Sequence, residues 1–210
     1  SYGETGYHSP AAAIVNNRYR REAMASAFRI LGEGQLSLTK FLLLTDRDVD
    51  LKNFRDTLEH VLARTDLRTD LYVFGNLSMD SLDYSGPKIN EGSKGVLLGL
   101  GDPIRELPAS LQGSLPLGFP DAQVFCPGCL VVTGPDHTAE PDAARRLAQV
   151  ESLADWPMVI LCDDAERVCR SDMNFLWTTF TRFEPAADIH TRNQVLFDAF
   201  DVSSFGSFVN

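Results

Sequence analysis

Long apolar runs are missing from this sequence: none approaches the roughly 18–20 residues that a bilayer-spanning helix needs, so no membrane span is expected. Positive charge is scarce too, with 19 Lys and Arg against 29 Asp and Glu and a formal charge of −10. Such a chain repels phosphate backbones. Its basic residues are scattered apart from Arg18, Arg20 and Arg21, which read as a solvated helix start, so nucleic acid is not an expected partner. Cysteine is sparse: Cys126, Cys129, Cys162 and Cys169 are too few to staple 210 residues together, and in a reducing compartment they are expected as buried thiols. No basic stretch leads into an apolar segment and a small-residue cleavage site near Ser1, which points to the cytoplasm. Nucleophile motifs are lacking as well. No Gly-x-Ser-x-Gly elbow occurs, and His8, His60, His137 and His190 share no recognised spacing with a nucleophile.

What is present is a hydrophobic content of 44%, enough to bury a substantial core. Ala11–Val15 reads as a strand, and Met24, Ala27, Phe28 and Leu31 recur at helical spacing. Lys40–Thr45 is a continuous apolar strand, Phe54, Leu58, Val61 and Leu62 form the stripe of a second helix, and Leu71–Phe74 is strand-like again. The same order returns later, with strands at Leu130–Thr133 and Met158–Cys162, a helix over Asp142–Leu153, and a helix capped by Ser171 that carries Phe175, Leu176 and Phe180. A gapless offset of 118 residues pairs Leu43 with Leu161, Asp46 with Asp164, Leu58 with Leu176, Arg64 with Arg182 and Asp70 with Asp188. The expected fold class is α/β: two similar β-α-β-α-β halves making a parallel or mixed sheet flanked by helices. The first half spans residues 1–101, a Pro/Gly-rich connection 102–121 and the second half 122–210.

Four segments carry candidate chemistry. Asp46, Asp48 and Asp50 follow a strand, where ligands of α/β sheets gather. As a calcium loop they fail, because Leu51 stands where Gly is needed and Thr57 where Glu is needed, so they read as caps of the next helix. Cys126-Pro-Gly-Cys129 has the spacing of a zinc knuckle or redox dithiol, with His137 as the nearest third ligand; buried thiols are the simpler reading. Gly32-Glu-Gly34 follows a helix and precedes a strand, the reverse of a phosphate loop, so it reads as a helix end with a left-handed glycine. Gly92-Ser93-Lys94-Gly95 reads as a turn whose lysine reaches an anion or a partner carboxylate.

Several short motifs in fixed order, TKFLLLTDRDVDLKNF, LARTDLRTDL, LSMDSLDYSGP and EGSKG, resemble the carboxy-terminal domain of UbiD-type decarboxylases over about Tyr7 to Gly95. FLWTTFTRFEPAADIH looks like the extension of longer members, some tied to quinone biosynthesis, whereas the tail VLFDAFDVSSFGSFVN departs from the expected ending. The resemblance implies non-oxidative removal of carbon dioxide from an aromatic or α,β-unsaturated acid, with prenylated FMN, a divalent metal and potassium or sodium. It assigns the Glu-Arg-Glu constellation and the metal ligands to an amino-terminal flavin-binding domain, on the same or a separate chain. Hence no catalytic residue and no bound cofactor are expected in this chain, which would close the partner's pocket and support a homo-oligomer. The cleft-facing candidates are Leu38, Thr39, Lys40, Leu77, Met79, Asp80 and Lys94. The position before the first Leu-rich strand, often basic in the family, reads Glu33-Gly34-Gln35, which argues against a phosphate contact there. The alternative reading is a non-catalytic α/β assembly or binding module.

Overall fold

The computed structural model describes residues 10–19, 21–192 and the backbone of 198–201. His8 and Tyr7 at one end and most of the segment 193–210 at the other lie outside the described residues.

Continuous apolar runs become parallel strands, because only a strand covered on both faces can be apolar at every position. In the first half β1 (Pro10–Ile14) and β4 (Glu91–Gly99) both run parallel to the fully buried β2 (Phe41–Thr45), and β3 (Leu71–Ser78) closes the edge antiparallel to β4. The strand order is β1-β2-β4-β3. In the second half a hairpin strand, β5 (Asp121–Cys126), precedes β6 (Cys129–Thr133), β7 (Met158–Cys162), β8 (Ile189–Thr191) and β9 (Asp198–Asp201), in the order β5-β6-β7-β9-β8. Remove β5 and the two orders coincide, parallel members and antiparallel edge alike. Two similar α/β halves with mixed sheets are therefore the fold.

The helices repeat as well. α1 (Glu22–Gly32) and α4 (Ala143–Leu147) cover the outer faces of the two sheets, the first through Ala23, Met24 and Ala27 on Leu42, Leu44, Val96 and Leu98. α2 (Phe54–Leu62) and α6 (Asp172–Arg182) share one core with the inner faces of both sheets, joined by the short α5 (Ala165–Cys169). The four-residue helices α3 (Leu67–Asp70) and α7 (Pro185–Asp188) stand at the same offset and are fixed alike. Asp70 accepts from the backbone N–H of Asp66 at 2.8 Å, and Asp188 from that of Glu184 at 2.7 Å, each carboxylate satisfying a donor that the helix start leaves free. The Asp70–Asp188 correspondence is thus a shared cap.

Three sequence expectations are corrected. The EGSKG segment is the first half of β4, held between β2 and β3, and not a turn. The helix expected over Asp142–Leu153 stops at Leu147, because Val150 is extended, and resumes only as a tight turn over Glu151–Leu153. The cap of α2 is Asn53, whose side chain accepts from Asp56 N, while Asp46 accepts from Gly101 N at 2.8 Å and ties two loops together. Ser171 caps α6 as expected, accepting from Asn174 N at 3.1 Å, and Gly34 is left-handed at φ +56°. Between Gly99 and Asp121 no helix or strand forms.

Candidate functional site

Two lysines lie side by side at the start of the first sheet, and their surroundings differ. Lys40 precedes β2 and is 1% exposed. Its Nζ donates to the carbonyls of Phe180 at 3.0 Å and Phe183 at 2.9 Å and to Ser85 Oγ at 2.9 Å, and pairs with Asp83 at 2.7 Å. Burial pushes its pKa down, against the pull of Asp83, Glu184 and Asp188. Ser85 in turn donates to Asp83 at 2.6 Å, so the connection between β3 and β4 is fastened to the end of α6. An ammonium has three protons. Those of Lys40 are fully engaged by protein, which leaves no donor for a ligand.

Lys94, on β4, is also buried, but it lines a cavity of about 280 Å³ with Phe28, Leu31, Ser37, Phe74 and Leu77. Its Nζ donates to Thr39 O at 3.0 Å and lies 3.4 Å from Met79 Sδ, a weak acceptor. Burial is the main cause that lowers its pKa to about 8, with nearby Lys40 lowering it further and Asp83 opposing. No carboxylate of the described residues pairs with it directly. Thr39 Oγ1, on the residue that receives the Lys94 proton, is buried without a hydrogen-bond partner.

The structure thus places Leu77 and Lys94 on one cavity, sets Thr39 and Met79 against the Lys94 ammonium, and engages Lys40 elsewhere. Leu38 ends the tight turn before β2, and Asp80 accepts from Leu82 N at 3.0 Å; neither lines the cavity. Asp83, Ser85, Phe28 and Phe74 were missed. Asp83 sits in the quoted motif LSMDSLDYSGP, whose acids gave the only warning.

The cysteines are quiet. Cys126 and Cys129 are register partners at the end of the β5–β6 hairpin, and all four thiols are free. Burial raises the Cys129 pKa well above its usual value and pushes Cys162 and Cys169 up to about 12, so little reactive thiolate forms near neutral pH. Among the described residues no group of three or more His, Cys, Asp or Glu is placed to hold a metal ion, and no helix is long and apolar enough to cross a membrane. A second, wider cavity of about 610 Å³ is lined by Arg68 and Arg105, but Arg68 pairs with Asp66 and Arg105 donates to Thr65 O.

A flavin nucleotide with a metal needs a phosphate cradle, metal ligands and a pocket of about 300–1,000 Å³. The Lys94 cavity offers one cation, apolar walls and less space, and does not fit that group.

Residues 1–99 match the family described as the 3-octaprenyl-4-hydroxybenzoate carboxy-lyase C-terminal domain. A protein of Chlamydia trachomatis serovar D is 51% identical over 90% of this chain, and one of Chlamydia pneumoniae, named as a subunit of 4-hydroxybenzoate decarboxylase, is 46% identical over 90%. The chain spans 32% of the length of each. A solved structure of vanillic acid decarboxylase from Sedimentibacter hydroxybenzoicus, in open form, is 21% identical with a TM-score of 0.40, covering 53% of this chain and 23% of that one. Residues 1–99, the first of the two α/β halves, thus match the carboxy-terminal domain of the UbiD-type decarboxylase family.

Proposed function

We propose that the chain serves a decarboxylase that removes carbon dioxide non-oxidatively from an aromatic or α,β-unsaturated acid, and that it does so beside a flavin-binding portion outside these 210 residues. The family match over residues 1–99 carries this reading. The name of the Chlamydia pneumoniae relative supports an aromatic acid as substrate and, for that relative, an enzyme built from more than one polypeptide. The relatives' extra length is room for the missing portion.

On this reading prenylated FMN and its divalent metal sit on that other portion, where the flavin acts as electron sink. The residues of this chain cover the pocket and exclude water when the two portions close. Leu77 and Lys94, open to the cavity, and Thr39 and Met79 behind them are the side chains proposed to face it. A homo-oligomer, a cytoplasmic setting and a role in quinone biosynthesis complete the proposal.

The chain alone, mixed with prenylated FMN, metal and a panel of aromatic and unsaturated acids, is expected to release no carbon dioxide. Joined to the flavin-binding portion of a relative it is expected to support turnover. Turnover by the isolated chain, or no gain on joining, would overturn the reading.

A further inference from the structure

We propose that the wider cavity, between the two halves, binds a zwitterionic α-amino acid with an apolar side chain, its carboxylate on the Arg105 guanidinium and its ammonium on Glu106 and Asp155. The charges along the wall point to a ligand of both signs. Two cations and three acids line the cavity, and Arg68 and Asp66 cancel as one ion pair. Arg105 is left facing Glu106 and Asp155. Of the five N–H groups of that guanidinium, a single one has a protein acceptor among the described residues, Thr65 O at 2.7 Å. Burial lowers the Arg105 pKa, with Asp66 and Asp70 opposing, and neither acid pairs with it directly. A half-buried cation without a direct counter-ion is costly, and a ligand carboxylate gripped by two N–H groups offsets that cost. Among the described residues the carboxylates of Glu106 and Asp155 have no ion-pair or hydrogen-bond partner either. A simple anion would meet two unpaired acids, and a simple cation an unpaired guanidinium. A zwitterion satisfies both.

Burial sets the ligand's direction. Arg105 is half-buried whereas Glu106 and Asp155 are exposed, so the carboxylate enters first and the ammonium stays at the rim. Leu107, Pro108 and Ala154 are half-buried on the same wall, and Ile104 is 56% exposed, which gives the ligand's side chain carbon to pack against. A volume of about 610 Å³ leaves room for it. The wall is also fixed in advance, although no helix or strand forms there. Ile104 N donates to Ala63 O of the first half at 2.8 Å, and Gly128 N of the second half donates to Pro108 O at 2.9 Å. Leu107 lies so close over Gly128 that a Cβ there would meet it at 2.7 Å. A segment tied at both ends loses little freedom when a ligand arrives. This cavity shares no lining residue with that of Lys94 and needs no flavin, so the inference stands apart from the decarboxylase reading.

The test is calorimetry on the 210-residue chain with L-leucine as the probe. L-leucine is expected to bind saturably. N-acetyl-L-leucine, which lacks the ammonium, L-leucinamide, which lacks the carboxylate, and inorganic phosphate are each expected to bind at least about tenfold more weakly, the loss of one charge-assisted contact. Leucine binding is expected to fall by a similar factor in Arg105→Met. It is expected to fall likewise in the double variant Glu106→Gln, Asp155→Asn, which changes two exposed side chains and leaves the core untouched. Absence of saturable leucine binding, N-acetyl-L-leucine or phosphate binding as tightly as leucine, or undiminished leucine binding by the folded double variant would each overturn the site. Should Arg105→Met fail to fold, the double variant and the blocked analogues still decide it.

Discussion

Lys40 shows how a single buried cation organises its surroundings. Its ammonium joins Asp83 to the carbonyls of Phe180 and Phe183, the latter 143 positions along the chain. Lys40→Met leaves that carboxylate and both carbonyls buried without their donor, which for a broken buried pair costs about 3–5 kcal/mol. Chemical denaturation of the single and double variants checks this: Asp83→Asn added to Lys40→Met is expected to cost far less than the sum of the two, because the remaining partner is no longer a stranded charge. His60 makes a pH-dependent contribution. Its Nε2 lies 3.0 Å from Thr45 Oγ1, and burial, reinforced by Arg64 and opposed by Asp46, pushes its pKa below 6.5. The unfolded chain then binds the proton more readily than the folded one, so stability present above the unfolded pKa is lost as pH falls through the folded value. His60→Gln is expected to flatten the fall in melting temperature seen on acidification from neutral pH. The sequence marks Lys40 as the opening of an apolar strand and Lys94 as the lysine of a turn. It conceals their burial, because the partners of Lys40 come from a distant helix end that no local pattern connects to it.

Among the elements, β4 was the hardest to read. Gly92-Ser93-Lys94-Gly95 has turn composition, yet small residues are needed there because neighbours lie directly over the strand. A Cβ at Gly95 would meet the Phe41 ring at 2.3 Å, and one at Gly92 would meet Met79 at 2.6 Å. Gly95→Ala is therefore expected to destabilise by about 1–3 kcal/mol through overpacking. Phe41→Leu made in that background should recover part of the loss, measured as the shift in denaturation midpoint. Elements with a local cause were legible in advance: the apolar runs of β2 and β7, the stripes of α2 and α6, and the Ser171 cap. The short strands β5, β8 and β9 were not, because their pairing partners hold them in place more than their own composition does.

The molecule as a whole has one shared core. Phe54 of the first half lies 6.1 Å from Phe125 and 5.8 Å from Phe175, and those two rings stack at 3.7 Å. Arg55 covers Phe125 at 4.0 Å and donates to Asp172 at 2.7 Å and to Cys169 O at 3.0 Å. Separating the halves would expose Phe41, Phe54, Leu58 and Phe180 together. Both tryptophans, Trp156 and Trp177, belong to the second half, whereas circular dichroism reports both halves. The two signals are expected to change at one urea midpoint; two separated midpoints would show that the halves unfold independently. The repeated strand order was legible in the sequence as an offset. The shared core was not, because amphipathic stripes show that a face is covered and are silent about what covers it.

Thr39 and Lys40 are adjacent, yet their contacts lead in opposite directions: the carbonyl of the first holds the Lys94 ammonium, and the side chain of the second grips the end of α6. A single peptide unit is thus a relay between the cavity and the opposite half. Lys94→Met, which releases the Thr39 carbonyl, should be felt as faster amide hydrogen exchange around Phe180 and Phe183.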